Sequence, residues 1–198
     1  MTKEEILSSL LPLASKKGLR NLSLSEMAEN AGIKKSSLYS HFSSKEDIIE
    51  SLYLYLRKKA NSNRDKGQVD YGSFVDGKTM RKALEDAVSG YRTIIENKDM
   101  HDFYRIVNSE KGFSDIAAKI IIEETETMVS ATKNLFYVLQ AKGLSSFGDV
   151  DGAALVFSMA VHSILDLSLD DKTAGTKLSE GMMVKFLDEF VRRYGKEA

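Results

Sequence analysis

One stretch constrains the fold of this chain more than any other: it starts at Ser23 and reads SLSEMAENAGIKKSSLYSHFSSKED. Ser23 and Glu26 have the spacing of a capping box, which satisfies free amides at a helix start. Gly32 follows this first helix, at a position where a left-handed backbone costs glycine little. Leu38 and Phe42 are four apart and give a second helix an inward face. Two short helices joined by a glycine-containing turn predict a helix-turn-helix.

The outer face of the second helix, predicted over residues 35–41, is polar and basic. The side chains expected to meet base edges are Lys35, Ser36, Ser37 and Ser40. The side chains expected to contact phosphates are Lys34, Lys45, Ser23, Ser25, Tyr39 and Ser44. Residues 1–64 hold 11 Lys and Arg against 7 Asp and Glu, whereas the rest of the chain is acidic, with 17 against 22. This asymmetry favours an anionic partner for the first third of the chain.

The same third resembles the DNA-binding domain of the TetR family of bacterial transcriptional regulators. The resemblance is carried by Gly18, Ser23, Met27, Ala28, Ala31, Gly32, Ile33, Leu38, Tyr39, His41, Phe42, Lys45 and Glu46. It is specific, because Tyr-x-His-Phe-x-x-Lys at a fixed distance after Ala-Gly-Ile is a dense pattern. The sequence departs from the family at Lys34, where a Ser or Thr usually caps the recognition helix, and at Ala14, where an aromatic residue is frequent. The resemblance implies that Tyr39 and His41 lie beside the DNA backbone.

The remainder of the sequence is helical in pattern. Apolar spacing predicts helices over residues 2–17, 45–60, 79–97, 99–109, 113–142, 149–169 and 177–194. Pro12 lies inside the first of these and predicts a kink or a break. Residues 61–78 are polar with three glycines and predict a linker or loop. We expect an all-α protein of nine to ten helices, with a DNA-binding domain over residues 1–47 and an effector-binding and dimerisation domain over residues 48–198.

Composition excludes several classes of protein. No apolar run approaches the ~18 residues of a membrane span. The N-terminus, MTKEEILSS, lacks a signal-peptide pattern. The chain has no cysteine, which excludes disulfides and thiolate metal sites and fits a reducing cytoplasm. We expect a cytoplasmic protein without a metal or a cofactor.

A phosphate-loop motif offers an alternative function. Residues 72–79, GSFVDGKT, fit G-x-x-x-x-G-K-[ST]. That loop requires a buried strand before it, and the preceding residues 61–71 are nearly all polar. A chance match is therefore the favoured interpretation, and a helical nucleotide-binding protein is the alternative. A third alternative is an interaction module that uses the helix-turn-helix as a docking surface.

Other polar residues suggest chemistry only weakly. His162 and Asp166 are four apart and share a helix face, but two ligands on one helix are too few for a metal. A hydrogen-bonded histidine in the core or at a dimer interface is the favoured interpretation. His101 suits a solvated or capping role, and Glu123, Glu124 and Glu126 suit a solvated helix face. The sequence holds no G-x-S-x-G, H-E-x-x-H or dinucleotide loop, so we expect no enzyme.

The resemblance also implies an effector pocket and a homodimer. The pocket residues expected are Phe103, Tyr104, Val107, Met128, Phe136, Phe157 and His162, and their apolar bias suggests a hydrophobic or aromatic ligand. The last two helices have apolar faces wider than one core contact needs, which favours a two-fold helical bundle between subunits. The interface residues expected are Val161, Leu165, Met183, Phe186 and Phe190. The prediction is a repressor that leaves a palindromic double-stranded operator when a small molecule binds.

Overall fold

The computed structural model describes residues 1–64 and 69–196, and for residues 59–64 it describes the backbone alone. Within these ranges the chain forms ten α-helices and no β-strand. The helices are α1 (Lys3–Lys17), α2 (Leu24–Asn30), α3 (Lys35–His41), α4 (Lys45–Arg64), α5 (Tyr71–Val75), α6 (Met80–Glu96), α7 (Lys98–Glu110), α8 (Asp115–Ala141), α9 (Val150–Ala174) and α10 (Met182–Tyr194). A 3₁₀ turn, Leu19–Asn21, lies between α1 and α2. The predicted all-α class is confirmed.

The helices pack into two units, each with its own core. The first unit takes residues 1–68 and 94–123, and the second takes residues 69–93 and 124–198. Helices α6 and α8 therefore contribute residues to both units. The functional boundary expected between residues 47 and 48 stays a prediction, since packing groups the chain differently.

The first unit is organised around α1, which packs against α2, α4 and α7. Ile6 and Leu10 of α1 are fully buried, and Phe103 and Val107 of α7 belong to the same hydrophobic core. Burying one such side chain contributes about 1.5–3 kcal/mol. A helix roughly half the chain away in sequence thus supplies part of the core beneath the helix-turn-helix.

Pro12 does not interrupt α1, which runs unbroken from Lys3 to Lys17. The break in this helix that the sequence analysis gave as one outcome of Pro12 is absent. Proline lacks an N–H, so the carbonyl of Ser8, four residues earlier, loses its donor within the helix. Ser8 and Pro12 are both exposed, so water can satisfy that carbonyl and the helix continues.

The polar segment 61–78 is partly helical. Its first four residues extend α4 to Arg64, and Tyr71–Val75 form α5. The carboxylate of Asp70 caps α5 by accepting a hydrogen bond from the amide of Ser73 at 3.2 Å. Residues 65–68 of this segment lie outside the described residues.

An aromatic cluster forms much of the core of the second unit. Its members come from α8, α9, α10 and the segment between α8 and α9: Phe136, Phe147, Phe157, Phe186, Phe190 and Tyr194. Phe136 stacks on Phe147 with 4.6 Å between ring centroids, and Phe190 meets Phe157 edge-on at 4.9 Å. Each such pair is worth about 0.5–1.5 kcal/mol beyond its area burial. The cluster therefore holds these three helices together.

The end of α9 lies beyond residue 169, where the sequence placed it. The helix continues to Ala174 and stops at Gly175, whose φ of 71° is left-handed. The buried carboxylate of Asp171 accepts hydrogen bonds from Ser179 N at 2.7 Å and Thr176 Oγ1 at 2.5 Å. These bonds, those from Ser179 first, hold the pKa of Asp171 far below its ordinary value. The segment after Gly175 is thereby fixed as a turn.

The same turn delays the start of the last helix. The sequence placed that start at residue 177, but α10 begins at Met182. Gly181 precedes it with a φ of 76°, a conformation that disfavours any other residue type. The turn thus occupies the first residues of the predicted helix.

Helix α9 is long and apolar enough, by length and composition alone, to cross a bilayer. In the second unit, however, its Phe157, Val161 and Leu165 are buried among protein side chains. Its other faces carry charged groups, including Asp151 and Asp166. These observations favour a core helix over a membrane span.

Candidate nucleic-acid interface

Helix α2 is fixed by its cap and by two buried side chains. The hydroxyl of Ser23 accepts from the Glu26 amide at 3.2 Å, and a Glu26 carboxylate oxygen accepts from the Ser23 amide at 2.9 Å. The predicted capping box is confirmed. The hydrogen bond from Lys17, together with those from Ser23, lowers the pKa of Glu26 to about 2. Met27 and Ala28 anchor the opposite face in the core.

The turn after α2 depends on Gly32, whose φ of 67° is left-handed. The amide of Ile33 donates to the carbonyl of Ala28 at 3.0 Å, which is the bond that closes a Schellman-type helix end. A side chain at position 32 would strain this backbone. The chain therefore reverses sharply, and α3 begins three residues later.

Helix α3 separates an inner from an outer face. Leu38 and, just after the helix, Phe42 are 1% and 2% exposed, as their spacing predicted. The exposed side chains at its start and along it are Lys34, Lys35, Ser36, Ser37, Tyr39 and Ser40, while His41 is half-buried. Lys34 precedes the helix without a side-chain cap, as the sequence indicated. The outer face thus offers ammonium and hydroxyl donors, which suit phosphates and base edges of a major groove.

The remaining predicted phosphate contacts flank α3. Ser23 caps α2 and Ser25 lies within it, and both are exposed, whereas Ser44 is half-buried before α4. The Ser44 hydroxyl accepts from the Asp47 amide at 3.1 Å and so caps α4. The ammonium of Lys45 donates to the carbonyl of Arg20 at 2.6 Å. The DNA-binding role of all these residues stays a prediction.

The residues predicted for an effector pocket fall in both units. In the first unit, Phe103 and Val107 belong to the packed core, and Tyr104 is partly buried against it. In the second, Phe136 and Phe157 belong to the aromatic cluster. These four buried residues have a structural role whether or not a ligand reaches them. Met128 and His162 are partly buried.

His162 forms a polar group with two neighbours in the second unit. Its Nδ1 lies 3.1 Å from the hydroxyl of Tyr91, and its Nε2 lies 3.3 Å from a carboxylate oxygen of Asp166. This agrees with the favoured interpretation, a hydrogen-bonded histidine. In the part of the chain that the structure describes, no three His, Asp or Glu side chains are grouped to hold a metal ion.

The dimer-interface role of five residues on α9 and α10 stays a prediction, but their burial bears on it. Val161, Leu165, Met183 and Phe190 are buried within the single chain, and Phe186 is partly buried in the aromatic cluster. Side chains already buried in one subunit offer a partner little surface. The exposed apolar side chains of the same two helices are Leu155, Val156, Met159 and Val184. An interface on α9 and α10 would therefore use these four, which the spacing alone did not separate from the inner face.

The phosphate-loop motif does not form a phosphate loop. Gly72 and the next three residues lie in α5, whereas the loop needs free backbone amides between a strand and a helix. The Lys78 ammonium is paired with Asp86 at 2.9 Å and lies over the Phe74 ring, 4.1 Å from its centroid. The structure thus favours a chance match.

Two buried carboxylates were not predicted from the sequence: Asp171, described above, and Glu110. Glu110, at the end of α7, is 3% exposed and accepts a hydrogen bond from Arg20 Nε at 2.7 Å. The signal was present, because Glu110 falls four residues after Ile106 on the apolar face of α7. A buried carboxylate on such a face requires a cation or several hydrogen-bond donors as partners.

The family comparison and a curated relative agree with this geometry. Residues 6–52 match the model of the bacterial regulatory proteins of the tetR family. The chain is 24% identical over 193 residues to the biofilm operon icaADBC negative transcriptional regulator IcaR of Staphylococcus aureus, covering 84% of this chain and 98% of that one.

Solved structures share the fold along the whole chain. A TetR-family transcriptional regulator from Cytophaga hutchinsonii superposes with a TM-score of 0.68 at 16% identity, covering 99% of this chain and 96% of that one. A protein from Saccharomonospora viridis in complex with choline superposes with a TM-score of 0.71 at 16% identity, covering 98% of both chains. At 16% sequence identity, these superpositions show a shared fold.

Proposed function

Because its N-terminal helix-turn-helix is that of the TetR family of bacterial transcriptional regulators, we propose that this protein is a homodimeric, ligand-responsive repressor that binds operator DNA. The observation that carries the proposal is the division of α3 between the buried Leu38 and the exposed Lys35 and Ser37. A helix that is packed on the core through one face and exposes polar side chains on the other can enter a major groove and contact base edges. The name of the relative IcaR, a negative regulator, supports repression over activation.

Two groups of side chains contact the DNA, one at base edges and one at phosphates. Lys35, Ser36, Ser37 and Ser40 read base edges, since they lie on the outer face of α3. Lys34 and Lys45, with the hydroxyls on α2 and α3, hold phosphates and set the register. Half-sites one helical turn apart require two recognition helices, so the operator is palindromic and the protein is a dimer.

The dimer forms through the outer faces of α9 and α10. Leu155, Val156 and Met159 of α9 and Val184 of α10 are between 36% and 59% exposed. Packing this surface against its two-fold copy removes apolar area from water and completes a four-helix bundle.

A small molecule releases the repressor. Its site lies in the helices that follow the DNA-binding domain, and one structural relative was solved with choline. The ligand binds one conformation of the dimer better than the other and shifts the population toward the weaker DNA binder. The protein acts in the cytoplasm, where its operator is, and its role is binding rather than catalysis.

The test begins with DNA fragments recovered from genomic DNA by the purified protein. Affinity for the recovered sequence and for random DNA is then measured against salt concentration. Ser37→Ala removes a base-edge contact and costs about 1–3 kcal/mol per half-site on the preferred sequence but little on random DNA. Ser130→Ala, an exposed serine of α8, is the matched control and changes neither affinity. Equal affinity of the wild type for both DNAs refutes the proposal.

A further inference from the structure

The corner between α7 and α8 holds the side chain of Arg20 at three points. Arg20 Nε donates to a Glu110 carboxylate oxygen at 2.7 Å, and a second guanidinium nitrogen, Nη2, donates to the Phe113 carbonyl at 2.7 Å. The guanidinium also lies over the Phe113 ring, 5.1 Å from its centroid. Glu110 is 4% exposed at its side chain, whereas Arg20 is 52% exposed. A buried carboxylate is costly without its cation, so this pairing ties Arg20 to the corner.

The backbone of the same arginine contacts the helix-turn-helix. The Arg20 carbonyl accepts a hydrogen bond from the Lys45 ammonium at 2.6 Å. Arg20 is the central residue of the 3₁₀ turn, and Asn21 braces that turn by donating to the Lys17 carbonyl at 2.8 Å. The side chain that binds Glu110 and the carbonyl that binds Lys45 thus belong to one residue in a short, closed turn.

A lysine ammonium carries three donors, so Lys45 can contact Arg20 and still offer two N–H groups to phosphate oxygens. Its long side chain otherwise has many rotamers, and fixing it on DNA costs entropy. The bond to Arg20 fixes part of that side chain before DNA arrives. Preorganisation of this kind raises affinity by reducing the cost of ordering.

We propose that Glu110 and Arg20 are positioning residues for Lys45, and that movement of the α7–α8 corner changes DNA affinity through them. The inference rests on the proposed function, since it assigns Lys45 to a phosphate. Helix α8 leaves this corner and continues into the second unit, so a ligand that shifts α8 acts on Lys45 by way of Arg20.

For substitution of Glu110, charge alone predicts a change in DNA affinity opposite in sign to the change that the positioning mechanism predicts. Glu110→Gln removes a negative charge near an anionic partner, and on charge alone it strengthens DNA binding. If Glu110 positions Lys45, the substitution weakens binding by about fivefold, the scale of coupling between neighbouring groups. Arg20→Lys keeps the charge but cannot make both hydrogen bonds of the guanidinium fork, so it weakens binding in the same direction.

The experiment is a double-mutant cycle on the operator at one salt concentration. Glu110→Gln and Arg20→Lys are each measured in the wild type and in a Lys45→Ala background. We expect each to weaken binding in the wild type. In the Lys45→Ala background, Arg20→Lys should have no further effect, and Glu110→Gln should show only the strengthening that loss of its charge predicts. Glu189→Gln removes an exposed carboxylate of α10 and serves as the control. Circular dichroism confirms that every variant is folded at the assay temperature.

Each result decides the inference. Stronger binding by Glu110→Gln, or a loss that persists unchanged in the Lys45→Ala background, overturns the positioning role. Unchanged binding by Arg20→Lys overturns it as well. This variant keeps the positive charge, and it provides the test if Glu110→Gln does not fold. A wild type that binds no DNA sequence preferentially refutes the proposed function instead, and the two failures are thereby distinguished.

Discussion

Two aspartate substitutions on α9 should have different consequences, although both replace a valine. Val156 is 59% exposed and lies on the proposed dimer face, while Val161 is 4% exposed and lies in the core of the second unit. Full burial of a valine is worth about 1.5–3 kcal/mol, so covering the exposed part of Val156 is worth about 1–2 kcal/mol per subunit. Two-fold symmetry doubles this loss to about 2–4 kcal/mol for Val156→Asp. The dimer Kd should rise about 30- to 1000-fold.

Val161→Asp should act on folding instead. It removes a buried valine and places an unpaired carboxylate in the core, at a cost of several kcal/mol. This approaches the 5–15 kcal/mol, roughly, that stabilises a whole domain. We expect loss of helical signal and aggregation rather than a folded monomer.

Sedimentation velocity and circular dichroism on the two variants and on Val156→Thr separate these outcomes. The threonine keeps the shape of valine without a charge and should shift the Kd less than the aspartate. A dimeric Val156→Asp variant would place the interface on another face. A folded, monomeric Val161→Asp variant would contradict the assignment of Val161 to the core.

Three further outcomes follow from the contacts described above. The pKa of Asp171 is lowered in the folded state, so its contribution is present above its ordinary value of 3.8 and is lost as the pH falls below it. Asp171→Asn should therefore lower the melting temperature at pH 7 and reduce the loss of stability on acidification, measured by thermal melts across pH; an unchanged pH profile would contradict this. Leu38→Ala should cost about 2–5 kcal/mol in urea unfolding through the cavity it leaves, and a cost near zero would place Leu38 outside the core. Lys78→Ala should leave operator affinity unchanged, and calorimetry should detect no ATP binding that depends on Lys78; such binding would restore the nucleotide-binding alternative.

The sequence predicted the helix-turn-helix in detail because its signals are local. The capping box at Ser23, the left-handed Gly32 and the Leu38–Phe42 spacing each involve residues within four positions of one another. Local hydrogen bonds and backbone preferences are sufficient to place such elements. The resemblance to a known family rests on these same residues.

The structural features that were not predicted from the sequence depend on contacts between distant residues or on competing local contacts. The apolar residues of α9 repeat so closely that spacing could not tell the inner Val161 from the outer Val156. The end of α9 was misplaced because the prediction followed the apolar spacing, which ends at Leu169, whereas Asp171 is buried and organises the following turn. The pairing of Arg20 with Glu110 joins residues 90 positions apart, which periodicity does not reveal.

The contribution of α7 to the first core limits how this protein can be recombined. A chimera that joined residues 1–47 to another ligand-binding domain would leave Ile6 and Leu10 facing whatever the new partner supplies in place of Phe103 and Val107. If α3 reads base edges as proposed, DNA specificity is therefore easiest to exchange by changing side chains on the surface of α3 and leaving the segment in place. A biosensor built on the proposed ligand response should keep α7 and the α7–α8 corner together with the helix-turn-helix.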